Sequence, residues 1–179
     1  VSYVDMLALS DAQAVIVPTT EQEGFRMSPT ALEAAIGPRT RAVILNSPSN
    51  PTGSAYDADE LRALGDVCLR RGLIVISDDV YERLTYDGFV QRHILSLCPE
   101  LRSHTLVISS CSKTYAMTGW RLGYTAGPMH VIAAMATLQG QSTSTPSSIT
   151  QAAAVEALAG PQGCVEEMLV EFARRRAFV

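Results

Sequence analysis

"TLVISSCSKTYAMTGWRLGY", Thr105 to Tyr124, passes from an apolar run into a polar cluster and then towards a second apolar run. Lys113 inside it is the only lysine in 179 residues, and the other thirteen of the fourteen basic residues are arginine. Arginine supplies a charge or a phosphate contact equally well. It does not readily lose its proton, and it forms no stable imine with an aldehyde. A lone lysine placed directly after an apolar run and among serines therefore reads as one kept for its amine.

The run before it, Thr105–Ser109, is rich in Val, Ile and Leu without alternation, the pattern of a strand in a sheet covered on both faces. Ala14–Val17, Ala42–Asn46 and Leu73–Ser77 read the same way. Arg121–Ala126 reads as a further strand, reached from Thr105–Ser109 through a tight excursion. Helix signals lie between these runs. Ser28-Pro29 is a cap with proline at the first helical position, and Gly37 stops the helix. Asp57-x-x-Glu60 is a capping box whose helix carries Leu61, Leu64 and Cys68 on one face and ends at Gly72. Ser148-x-x-Gln151 is a second box, opening an alanine-rich helix that stops at Gly160. Val165, Met168, Leu169 and Phe172 mark an amphipathic helix at the end. Strands alternating with helices imply an α/β, three-layer domain with a mostly parallel sheet and helices on both faces.

Composition narrows the classes. With 47% apolar and 18% charged residues the chain is globular rather than disordered. A net charge of −4, with Arg174–Arg176 as the sole basic cluster, argues against nucleic-acid binding. No apolar stretch is long enough to span a membrane, and no signal-peptide pattern is present. Cys68, Cys98, Cys111 and Cys164 match no metal or redox spacing and read as buried reduced thiols of a cytoplasmic protein. His93, His104 and His130 are scattered and receive no role. Gly119, Gly123 and Gly127 read as turns and close packing. The chain opens on Val1 rather than Met and ends at Val179 within a helical pattern, as a piece of a longer polypeptide would.

In an open α/β sheet, ligands bind at the carboxyl ends of the strands. "SPSNPTG" (Ser47–Gly53) follows Ala42–Asn46, "DDVYE" (Asp78–Glu82) follows Leu73–Ser77, and "SCSK" (Ser110–Lys113) follows Thr105–Ser109. Taken singly, each has a plain reading: a proline-rich turn, a solvated pair of carboxylates, a rim tyrosine, a surface arginine at Arg121. Their common position after strands gives them a joint one. A desolvated lysine amine is a nucleophile. A carboxylate leaving an apolar strand, as Asp78 does, needs a cation or donor, and a protonated heterocyclic nitrogen would serve. Tyr81 brings a phenol to the same place, and Asn50 a neutral amide. Arg121 has the planar fork suited to phosphate, with the hydroxyls of Ser110 and Ser112 beside it.

Asn50-Pro51-Thr52-Gly53, Asp78-x-x-Tyr81 and Ser110-x-x-Lys113 with Arg121 occur in an order that resembles the fold-type I pyridoxal 5′-phosphate (PLP) enzymes, specifically the class I and II aminotransferases. "SKTYAMTGWRLGY" and "QSTSTPSS" look most like the bacterial aspartate/prephenate branch. The resemblance implies that Lys113 carries the internal aldimine and then shuttles the α-proton, while Asp78 keeps the pyridine nitrogen protonated. It implies that Asn50 and Tyr81 bond the ring hydroxyl, that Asn50 also touches the substrate carboxylate, and that Ser110 and Arg121 bind the phosphate. Residues 1–179 would be part of the PLP-binding large domain. The early loop over the phosphate, the ring-stacking aromatic and the C-terminal small domain would lie outside it. The Gln141–Ser148 loop would reach a neighbouring subunit, implying a homodimer with amino-acid and 2-oxo-acid substrates. Two alternatives stay open: another PLP chemistry (a C–S lyase, a decarboxylase or an aminocyclopropane-carboxylate synthase), and an aminotransferase-like ligand-sensing domain of a transcription regulator.

Overall fold

The computed structural model describes residues 2–179. The helices are α1 (Tyr3–Leu9), α2 (Pro29–Ala35), α3 (Ala58–Arg71), α4 (Ile94–Leu97), α5 (Cys111–Thr114), α6 (Met129–Ser142), α7 (Ser148–Ala159) and α8 (Gly163–Phe178). The strands are β1 (Ala42–Asn46), β2 (Ile74–Asp78), β3 (Thr105–Ser110) and β4 (Gly123–Ala126). They form one sheet in the order β1-β2-β3-β4, with the first three parallel and β4 antiparallel to β3. The short link through α5 is what lets β4 double back, since a parallel return needs a longer crossover.

Register decides which side chains share a face. Val43 pairs with Val75 and Leu45 with Ser77, and Val75 and Ser77 face Thr105 and Val107 across β3. This face carries the core, where Leu45 and Val75 pack with Leu32 of α2, Leu64, Val67 and Cys68 of α3, Ile94 of α4 and Cys98 just after it. The opposite face holds Ile44, Ile76 and Leu106, followed at the carboxyl ends by Asn46, Asp78 and Ser110. Leu64 is fully buried. Leu64→Ala is expected to cost about 3 kcal/mol of stability, read as a lower denaturation midpoint at unchanged slope.

Local chemistry explains the helix ends. The Ser28 side chain accepts from the Ala31 amide ahead of Pro29, and Asp57 and Glu60 form the reciprocal box that opens α3. Gly72 closes α3 at φ 62°, in the left-handed region where a Cβ is strained. The second box is displaced by one residue. Ser147 caps α7 by accepting from the Thr150 amide at 3.2 Å, while Gln151 donates to the Pro146 carbonyl instead. Gly127 allows close packing, because a Cβ there would stand 2.5 Å from Leu106 Cδ2.

Three further expectations fail. Ala14–Val17 is no strand, and Val15 and Ile16 are exposed. An apolar run becomes a strand only where a neighbouring backbone satisfies its amides and carbonyls, and none lies beside it among the described residues. Gln141 and Ser142 belong to α6, so the polar loop shrinks to residues 143–147. Cys164 is exposed on the first turn of α8, while Cys68, Cys98 and Cys111 are buried and free. The arginines near the end are engaged. Arg174 and Arg175 pair with Glu171, and Arg176 reaches Asp87 and the Tyr86 ring. No helix among the described residues is long and apolar enough to cross a membrane.

Candidate active site

The carboxyl ends of β1, β2 and β3 bring together all three polar clusters. Asn46, the last residue of β1, donates from Nδ2 to the Asp78 carbonyl at 3.1 Å and accepts at Oδ1 from the Asn50 amide at 2.9 Å. One side chain thereby ties the Ser47–Gly53 turn to the end of β2. Asn50 Nδ2 then donates to the Tyr81 hydroxyl at 3.4 Å, which confirms the nearness of these two residues in space. The Lys113 amine lies 5.6 Å from the centroid of the Tyr81 ring, within range of a cation–π contact. It pairs with no carboxylate among the described residues.

Asp78 projects from the face opposite the main core. Its Oδ1 accepts from the Val80 amide at 3.3 Å, and its Oδ2 accepts from the Tyr3 hydroxyl of α1. Burial above all, together with the bond to Asp78, holds the Tyr3 phenol well above its ordinary value, so it remains a donor at any working pH. Ser110 caps α5 by accepting from the Ser112 amide at 3.2 Å. Arg121 stands at φ 55°, donates to the Thr118 carbonyl at 2.9 Å, and pairs with no carboxylate among the described residues.

An open cleft of about 360 Å³ is lined by Asp78, Ser110, Ser112 and Arg121 with the apolar Val80, Ile108 and Leu122. It combines one carboxylate, one guanidinium without a carboxylate partner among the described residues, and serine hydroxyls on an apolar floor, a set that meets a small ligand carrying both charges. A depression of about 430 Å³ at the other end of the sheet contains Arg41 and Arg71. Its arginines are spent on the Pro38 carbonyl and on Glu33, which leaves little to recognise a ligand.

All six expected residues, Asn50, Asp78, Tyr81, Ser110, Lys113 and Arg121, thus fall around one sheet end. Three neighbours went unread in the sequence. Asn46 had a signal, as a polar residue ending an apolar strand. Tyr3 had none, since it lies 75 positions from Asp78. His93, given no role, places its two ring nitrogens against Asp79 and Glu82.

The sequence profile described as aminotransferase class I and II matches residues 1–179. The chain belongs to that family. An aspartate aminotransferase of Geobacillus stearothermophilus is 50% identical over 175 residues, covering 98% of this chain and 44% of its own length. An aspartate/prephenate aminotransferase of Nitrosomonas europaea is 48% identical, over 100% of this chain and 45% of its own. The crystal structure of the Rhizobium meliloti aspartate aminotransferase superposes with a TM-score of 0.96 at 48% identity, covering 99% of this chain and 44% of that one. An aromatic aminotransferase of Pyrococcus horikoshii superposes equally well, at 0.96 and 39% identity, with 99% and 48% covered. The chain spans less than half the length of these curated relatives.

Proposed function

We propose that residues 1–179 form the cofactor-binding part of a cytoplasmic, PLP-dependent aminotransferase of aspartate or prephenate type. It moves an amino group between an L-amino acid and a 2-oxo acid. One observation carries the reading: the only lysine of the chain lies against Tyr81 at the sheet end that also holds Asp78 and an unpaired Arg121. The donor set suits PLP group by group. Asp78 answers a protonated ring nitrogen, Asn50 and Tyr81 answer a ring oxygen, Lys113 answers an aldehyde, and Arg121 with Ser110 answers a phosphate. Bound there, PLP supplies an electron sink for charge developing at the substrate α-carbon.

The rest of the work belongs to the chain. Asp78 holds a negative charge where the ring nitrogen must stay protonated, and Tyr3 and the Val80 amide hold that carboxylate in place. Lys113 moves the proton at the α-carbon, and the Tyr81 ring keeps its amine near the cleft. Asn50, open to solvent, also meets the substrate carboxylate. The same reading carries a homodimer. Met129 and Leu138 of α6 and Ile149 of α7 are largely exposed, more apolar surface than a lone domain usually leaves uncovered.

The decisive experiment follows the products of the full-length protein given PLP, L-aspartate and a 2-oxo acid. A new 2-oxo acid that keeps the whole carbon skeleton of the donor supports the reading. Release of carbon dioxide or sulfide from suitable donors would place the chain among the decarboxylases or lyases. Tyr3→Phe removes one charge-assisted bond to Asp78 and is expected to weaken PLP binding about tenfold, measured by equilibrium dialysis.

A further inference from the structure

The segment after β2 repeats one spacing on two sides. Asp78 lines the cleft and Tyr81 lies beside it against Lys113, while Asp79 and Glu82, one residue later in each case, turn back into the protein. Asp79 is buried at 3% exposure. Its Oδ1 accepts from Ser77 at 2.6 Å, and its Oδ2 lies 2.9 Å from His93 Nδ1. Glu82 Oε2 lies 3.3 Å from His93 Nε2, and its Oε1 accepts from Ser109 at 3.4 Å. A single imidazole therefore bridges both back-turned carboxylates. Only the Asp79 contact is a hydrogen bond; Glu82 holds Nε2 at ion-pair distance, a contact that attracts the ring when it carries its second proton.

We propose that His93 is a positioning residue: as an imidazolium it clasps Asp79 and Glu82 and so sets where Asp78 and Tyr81 stand at the sheet end. The link to the cofactor rests on the function proposed above, while the clasp itself does not. The peptide leaves little slack for a different outcome. Asp79 is joined by its peptide bond to Asp78, and Glu82 to Tyr81. Within the segment the Glu82 amide donates to the Asp79 carbonyl, and the Asp79 amide is tied to the Ile108 carbonyl of β3. Releasing the two carboxylates frees the segment at both ends of the Asp78–Tyr81 span.

Among the described residues, the charged groups acting on the imidazole are Asp79 from the β2 end and Glu82 from the following turn. Ser109 of β3 contributes only a hydroxyl to the cluster. The bond to Asp79, then the charges of Asp79 and Glu82, raise the imidazole above its ordinary 6.5. A raised value means the clasp is complete below pH 6.5 and is lost as pH climbs through the folded-state value. The segment should thus loosen on the alkaline side.

The test compares the full-length protein with its His93→Gln and Glu82→Gln variants. Nitrogen NMR of wild-type His93 should place its titration above the ordinary 6.5, with both ring nitrogens protonated on the acid side of it. Hydrogen exchange at the Asp79, Val80 and Glu82 amides, corrected for intrinsic rates, should lose about tenfold protection once the imidazole deprotonates. In His93→Gln, which offers one neutral donor group and no titration, protection should be low and flat with pH. PLP affinity should follow the same pattern, about tenfold weaker than the wild type on the acid side of the His93 titration and independent of pH. A purely structural histidine would lower the melting temperature without this pH signature. A His93 titration at or below the ordinary 6.5, or amide protection that ignores that titration, overturns the clasp even if the variants fail to fold. If the amides follow His93 but PLP never attaches to Lys113, the clasp stands and the cofactor reading falls.

Discussion

Lys113→Ala is expected to abolish transamination by the full-length protein, lowering kcat by roughly 10⁴-fold or more. Two functions leave together: the amine that attaches to the cofactor and the base that moves the α-proton. Borohydride reduction after incubation with PLP should fix the cofactor to Lys113 alone in the wild type, as located by peptide mass mapping. In Lys113→Ala no other lysine exists within this chain to substitute for it. Lys113→Arg makes the sharper control. It keeps the positive charge over Tyr81 but neither loses its proton readily nor forms a stable imine, so it should be as inactive as alanine. Activity retained in the arginine variant would reduce Lys113 to a simple cation and overturn its assigned role.

Asp78→Asn is expected to separate binding from chemistry. The amide keeps the shape of the carboxylate and can still accept from Tyr3, so the variant should fold and hold PLP, though more weakly. It carries no charge to keep a ring nitrogen protonated, and the electron sink is correspondingly poorer. A fall in kcat of about 10²- to 10³-fold is expected, the scale on which removal of one preorganised electrostatic partner acts. Cofactor affinity by dialysis and single-turnover rates distinguish the two effects. Equal losses in both would make Asp78 an anchor only, and unchanged turnover would remove it from the mechanism.

Both predictions concern residues that were legible in the chain, because each sits at a strand end marked by composition. Four expected strands, Ala42–Asn46, Leu73–Ser77, Thr105–Ser109 and Arg121–Ala126, match β1 to β4 within two residues at each end. Apolar runs that pair with one another advertise themselves locally. Ala14–Val17 has the same composition but no strand beside it among the described residues, so it forms no strand and leaves Val15 and Ile16 exposed. The Ser147 cap shows the limit at finer scale. Ser147 and Ser148 are both good caps, and the choice between them depends on where the chain leaves Pro146 rather than on residue type.

Amino-acid order alone specified the chemical inventory: one lysine, a carboxylate after a buried strand, the Asn50 turn and an arginine on the way into β4. It also specified the alternation that makes an α/β sheet, because strand and helix periodicity, caps and stop signals act over a few neighbouring residues. Tertiary structure decided everything that needs two distant segments to meet. It brought Tyr3 to Asp78 across 75 positions, set Asn46 between the Asn50 turn and the end of β2, and turned Asp79 and Glu82 onto His93. The physical reason is that a side chain one residue along a strand faces the other way. The pairing register, a long-range property, determines whether neighbouring carboxylates share a site or serve opposite faces.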